Sequence, residues 1–137
     1  MALNTALLSS SLELVASRQP FITPRFYEIL FERYPQVKPL FGRNAATQQA
    51  KMLQEAIVSV VEHADDAPWL TETLHGMGAK HVDYGVTAEM YPWVGECLIA
   101  TLAEIAADDW TSEIEQAWVD AYGAISGLML EGASLTA

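Results

Sequence analysis

The chain has 137 residues, 51% of them hydrophobic, and carries seven basic against eighteen acidic side chains for a formal net charge of −11. That length suits one domain over residues 1–137 with a single substantial core, and leaves no room for a second catalytic domain. The acidic excess repels phosphate backbones and anionic headgroups, which excludes charge-driven binding to nucleic acid or to a lipid surface.

No apolar run approaches the ~20 residues that cross a bilayer, so membrane insertion is not expected. The N-terminus lacks a basic segment and Glu13 interrupts the only hydrophobic stretch that could follow one, so no signal peptide is expected and the location expected is cytoplasmic. The single cysteine, Cys97, falls in the apolar pattern of a helix. It cannot form an internal disulfide, which suits a reducing compartment, and it reads as a buried core residue.

Asn4 or Thr5 can cap a first helix whose inward stripe is Leu8, Leu12 and Val15, broken by Ser17 to Pro20. Thr23 followed by Pro24 reads as a cap and first-turn proline. The helix they open is expected to run through Tyr34, with Tyr27, Leu30, Phe31 and Tyr34 on its inward side. Tyr27 then points into the core, its hydroxyl meeting either a backbone carbonyl or a ligand. Pro35 and Pro39 bracket a short turn-like segment ending in Leu40-Phe41, and Gly42 to Ala46 read as an irregular connection.

From about Thr47 a long helix is expected, with Met52, Leu53, Ala56, Ile57, Val60, Val61 and Ala64 at helical spacing. Gln48, one turn before Met52, joins that stripe as either a solvated helix start or a ligand contact, whereas Gln49 turns away. Asp65-Asp66-Ala67-Pro68 separates this helix from the next, in which Leu70, Leu74, Met77 and His81 recur at intervals of four, three and four. Gly85 is available to end it. The imidazole of His81 therefore faces inward. In an apolar setting such a ring is either a satisfied core histidine or an axial ligand for haem iron, its other nitrogen bonded to backbone or a polar neighbour. His63 and His75 fall off the stripe, read as exposed or semi-exposed, and form no metal-spaced cluster with His81.

Thr87 to Ala107 reads as a fifth helix with Val94, Leu98, Leu102 and Ile105 inward, Pro92 in its first turns, and Tyr91 ten residues beyond His81. Asp108-Asp109 close it. Ser112-Glu113-Ile114-Glu115 resembles a capping box for a last helix facing the core through Ile114, Trp118, Ala121, Ile125 and Leu128. Strict alternation is absent, so the fold class expected is all-α, with six or seven helices joined by short loops. There is no Cys-x-x-Cys-His motif, so a haem would be held without thioether bonds. Dinucleotide, Walker, nucleophile-elbow and paired-cysteine motifs are also absent. Trp69, Trp93, Trp110 and Trp118 read as packing residues, and Glu32, Glu62, Glu72 and Glu104 as solvated faces.

Phe26-Tyr27-Glu28-Ile29-Leu30-Phe31, Pro39-Leu40-Phe41, Lys80-His81, Gly85-Val86, Tyr91-Pro92-Trp93-Val94-Gly95 and Ala121-Tyr122-Gly123 occur in an order and spacing that resemble the globin family. The resemblance covers nearly the whole chain. It is nearest to single-domain bacterial globins of the Vitreoscilla haemoglobin type and to the globin half of flavohaemoglobins. It implies a globin fold around a b-type haem (iron protoporphyrin IX), with His81 as the proximal iron ligand and Phe41 packed on the haem plane. Tyr27 and Gln48 would be the distal polar pair, Met52 the steric limit, and Lys80 a candidate for a haem propionate. Val86, Tyr91 and Val94 would complete the haem surroundings.

A phenol hydroxyl and a carboxamide N–H suit a gas ligand that acquires negative charge. The resemblance therefore implies reversible binding of O2, and of NO or CO, for storage, delivery or sensing, by a monomer or homodimer. The alternative it implies is a nitric oxide dioxygenase in which Tyr27 and Gln48 serve catalysis and a separate reductase supplies electrons, since flavin and nicotinamide domains lie outside these 137 residues. A globin module without haem is disfavoured by the presence of His81, Phe41 and Tyr27 together. One departure stands out: the flavohaemoglobin pattern places a last-helix glutamate near the proximal histidine and Tyr91, and this chain has Ala133 there. Glu131, two residues away, is turned by about 200° and does not replace it.

Overall fold

A computed structural model describes residues 4–41, 46–83 and 86–135, with side chains described outside positions 40–50, 52, 83 and 135. The architecture is all-α: α1 (Thr5–Arg18), α2 (Thr23–Arg33), a 3-10 segment (Pro35–Phe41), α3 (Ala46–Glu62), α4 (Ala67–Asp83), α5 (Met90–Ala106), a short 3-10 turn (Ala107–Asp109) and α6 (Ser112–Leu135). No strand occurs among the described residues, and none of the described helices is long and apolar enough to cross a membrane.

The helix starts follow from local chemistry. Asn4 caps α1, its Oδ1 accepting from the Leu7 N–H at 3.2 Å. α4 is capped by Asp66, whose carboxylate accepts from the Trp69 N–H at 3.2 Å, with Pro68 in the first turn as expected. Three expectations need correction. In α2, Thr23 is already helical and the helix stops at Arg33; Ile22 precedes it, and the Ile22 N–H is taken by Gln54 Oε1 of α3 at 3.2 Å. The buried face of α2 is Thr23, Phe26, Ile29 and Leu30, so Tyr27, Phe31 and Tyr34 lie at its margin, half-buried.

The second correction concerns α5, which starts at Met90 and not at Thr87. Pro92 has no N–H to give the Ala88 carbonyl and its ring would press on that oxygen, so helix cannot extend back through 88. In α6, Thr111 and not Ser112 is the cap: its Oγ1 accepts from the Ile114 N–H at 3.1 Å. Glu115 then falls one position too late to close a capping box and instead accepts from the Trp110 indole at 3.3 Å. The proposed stop at Gly85 and the connection over 42–45 lie outside the described residues.

Two apolar clusters result. The larger gathers Leu8 and Val15 of α1, Phe26 and Leu30 of α2, Ile57 and Val61 of α3, Leu98 and Leu102 of α5, and Trp118 of α6. The smaller joins Leu70 and Leu74 of α4 to Tyr91 and Met129. α4 belongs to the second cluster alone and leans chiefly on α6. Between α4 and the larger cluster the packing opens, and the space left there is the candidate site.

Candidate functional site

A cavity of about 170 Å³ is lined from α3 by Leu53, Ile57 and Val60, from α4 by Leu74, Met77 and His81, and from α5 and α6 by Tyr91, Val94, Trp118 and Met129 among others. Two of its few polar groups are consumed by the walls. The Trp118 indole donates to Ser11 Oγ at 2.8 Å and the Tyr122 hydroxyl donates to the Tyr91 carbonyl at 2.6 Å. The Tyr122 ring lies in a gap that exists because position 95 is glycine: a Cβ there would overlap it. Burial holds the phenol of Tyr122 well above the ordinary tyrosine range, with the neighbouring Tyr91 adding to the shift, and burial alone raises Tyr91.

His81 supplies the imidazole of this wall. It stands in the last turns of α4, half-buried, its ring 6.4 Å from that of Tyr91 and tilted to it by 42°. Its Nδ1 lies 2.6 Å from the Met77 carbonyl oxygen. A carbonyl only accepts, so Nδ1 carries the hydrogen, and in the neutral ring the lone pair sits on Nε2. The described residues contain no group of three His, Cys, Asp or Glu able to hold a bare metal ion. One imidazole lone pair in an apolar cleft suits a metal that arrives with its other ligands, and a haem brings four nitrogens and a large apolar face. The residues present fit that group.

Of the residues singled out from sequence, the structure brings His81, Val86, Tyr91 and Val94 together on the cavity wall. Lys80 is exposed, beside His81 in the chain. Tyr27 is not among the residues lining this cavity; its half-buried ring contacts Phe26 at 5.3 Å and stacks on Phe31 at 5.7 Å. Burial pushes its phenol up to about 12, so it keeps its proton at neutral pH. The side chains of Phe41, Gln48 and Met52 lie outside those described.

Glu131 is exposed and its carboxylate lies 3.4 Å from His75 Nε2 without a hydrogen bond to it, on the side expected from its angular separation from position 133. Leu8, Met129 and Tyr122 also line the cavity, and sequence reasoning missed them. Leu8 was on a recognised stripe, but what it faced was not. The signal for Tyr122 was its pairing with Gly95, a small residue opposite a large one.

The globin family model matches residues 24–129. The flavohemoprotein of Vibrio cholerae serotype O1 is 32% identical over 118 residues, covering 85% of this chain and 30% of that protein. The flavohemoprotein of Rhodopirellula baltica is 38% identical over 126 residues, again with 30% of its length matched. The chain thus spans about a third of these relatives. An engineered carbene transferase built on a candidate nitric oxide dioxygenase of Rhodothermus marinus superposes with a TM-score of 0.86 at 26% identity, over 99% of this chain and 96% of that one. A bacterial globin from Campylobacter jejuni does so at 0.80 and 26%, over 96% and 95%. An all-α fold, an inward imidazole on α4 and these matches agree, and the chain belongs to the globin family.

Proposed function

We propose that residues 1–137 form one globin domain that carries a b-type haem on His81 and binds oxygen reversibly, for storage, delivery or sensing, in the cytoplasm as a monomer or homodimer. The observation that carries this reading is the His81 Nδ1 to Met77 carbonyl bond at the edge of an apolar cavity. The haem supplies a ferrous iron that takes a diatomic gas. Met77 aims the imidazole and holds its proton on Nδ1. A carboxylate on this ring would push electrons toward the iron, and position 133, where the resemblance to flavohaemoglobins expects one, is Ala133, which supports reversible binding over activation.

By the family resemblance, Tyr27, which keeps its proton, would donate to the gas with the Gln48 amide as its companion, Met52 would limit ligand size and Phe41 would pack against the haem. Val86, Tyr91 and Val94, which line the cavity, would exclude water around a bound haem, and the exposed Lys80 would offer charge to a propionate. Optical spectra of the ferric, ferrous and oxygenated forms test the reading: a Soret band is expected, lost in His81→Ala unless imidazole is added. The distal assignment is wrong if Tyr27→Phe and Gln48→Leu together change the oxygen off-rate less than about threefold, ~0.7 kcal/mol.

A second reading is favoured by the flavohemoprotein relatives and the R. marinus structure: a nitric oxide dioxygenase converting dioxygen, nitric oxide and one electron to nitrate. The electron would come from a separate reductase. Sustained nitrate production with such a partner supports it; ferric protein that is not re-reduced removes it.

A further inference from the structure

α4 meets α6 with no side chain between them at two points. A methyl group added at Gly78 would overlap the Met129 carbonyl, and one added at Gly132 would overlap the backbone of His75. Both obstacles are main chain, so no change of rotamer relieves them. Gly78 is buried and lies within the single helical turn from Met77 to His81, the turn whose hydrogen bond aims the imidazole. Gly76 and Gly123, on the same two helices, have open space where a Cβ would go. The two close approaches thus fall at His75 and at Gly78, in the turn that carries the ring and the one before it, and Met77 and Met129, beside the second contact, both line the cavity.

We propose that Gly78 and Gly132 are positioning residues for the iron ligand: α6 is a rigid rest on which the Met77–His81 turn is seated, and it sets how far and at what angle the imidazole reaches. Packed helices with ordinary side chains between them keep axes roughly 8–10 Å apart. Removing both Cβ atoms lets the main chains touch, and a touching main chain has none of the slack that rotamers give. The inference rests on His81 being the iron ligand.

The test uses the full haem-loaded chain with Gly78→Ala, Gly132→Ala, Gly76→Ala and Gly123→Ala, read by the iron–imidazole stretching band of the ferrous protein and by the thermal midpoint. The band should shift in the variants at 78 and 132 and stay in place in those at 76 and 123, whatever their midpoints do. In a His81→Gly background supplied with free imidazole, the ligand is no longer tethered to α4, and the band should ignore all four substitutions. Should Gly78→Ala fail to accumulate as folded protein, Gly132→Ala decides. A folded, haem-loaded Gly132→Ala with an unmoved band overturns the proposal, as does a shift that persists with untethered imidazole. If His81→Gly keeps its haem and its band without imidazole, the assignment of the iron ligand falls instead, whatever the glycine variants show.

Discussion

The contact of α4 with α6 and that of α2 with α5 join helices by opposite means. Across α2 and α5, outside the core shared by Phe26, Leu30, Leu98 and Leu102, the ties are polar side chains: Arg25 holds Glu104 through two bonds of 2.7 and 2.8 Å, while Arg33 and the Tyr34 hydroxyl each reach Glu96 at 2.8 Å. The four charged side chains are substantially exposed, so water and salt screen them and a displacement of either helix is absorbed by side-chain torsions. Across α4 and α6 the main chains themselves touch at Gly78 and Gly132. The lesson is that the helix carrying the imidazole meets its neighbour through main chain, whereas the solvent-facing rim of α2 and α5 is tied by side chains that can adjust.

Four measurements break or sharpen this contrast. Gly78→Val should cost at least about 3 kcal/mol in urea denaturation, because branched atoms meet the Met129 main chain. Tyr122→Phe tests the intermediate case, the α5–α6 joint: it removes the side-chain donor to the Tyr91 carbonyl and should cost about 1 kcal/mol. Glu96→Gln and Glu104→Gln should together lower stability by no more than about 1 kcal/mol, an effect that disappears in molar salt. A large, salt-insensitive loss there would mean that the two joints do not differ as described.

The fourth is a pH titration of stability. Arg33 and then Tyr34 hold Glu96 below the ordinary carboxylate range, and Arg25 does the same for Glu104. Their contribution is present above the unfolded value, near 4.5, and fades as pH falls through the lowered folded values. At the alkaline end the sign reverses: Tyr27, raised by burial from 10.0 to about 12, stays protonated in the folded chain while the unfolded chain ionises, so stability falls between those values. Tyr27→Phe should flatten part of that alkaline fall and leave the acid limb unchanged.

Helical period made most of the architecture readable. The stripes Leu8-Leu12-Val15, Leu70-Leu74 and Ile57-Val61-Ala64 are all buried, and His81 was placed on the cavity side by the same arithmetic. What period could not supply was phase at the margins. On α2, Tyr27-Leu30-Phe31 and Phe26-Ile29-Leu30 are both helical stripes one residue apart, and only contact with α3 and α5 selects the second. Nor could it reveal contacts made by absence. Gly76, Gly78 and Gly132 look alike in a sequence, and only the partner helix separates the glycine facing open space from the two pressed on main chain. Capping failed by one residue at α6 because Thr111 and Ser112 are both competent caps, and the choice is made where Trp110 docks against Glu115.

Cys97 is fully enclosed within α5, and burial first, with the Glu96 charge beside it, pushes its thiol above the usual range. Little nucleophilic thiolate is therefore presented to peroxide, to nitrosating species or to alkylating reagents while the chain is folded. The same shielding turns this lone sulfur into a built-in stopwatch. Its rate of alkylation by a maleimide, followed with and without haem, counts how often the helices part company, and so weighs what the prosthetic group adds to the cohesion of the whole.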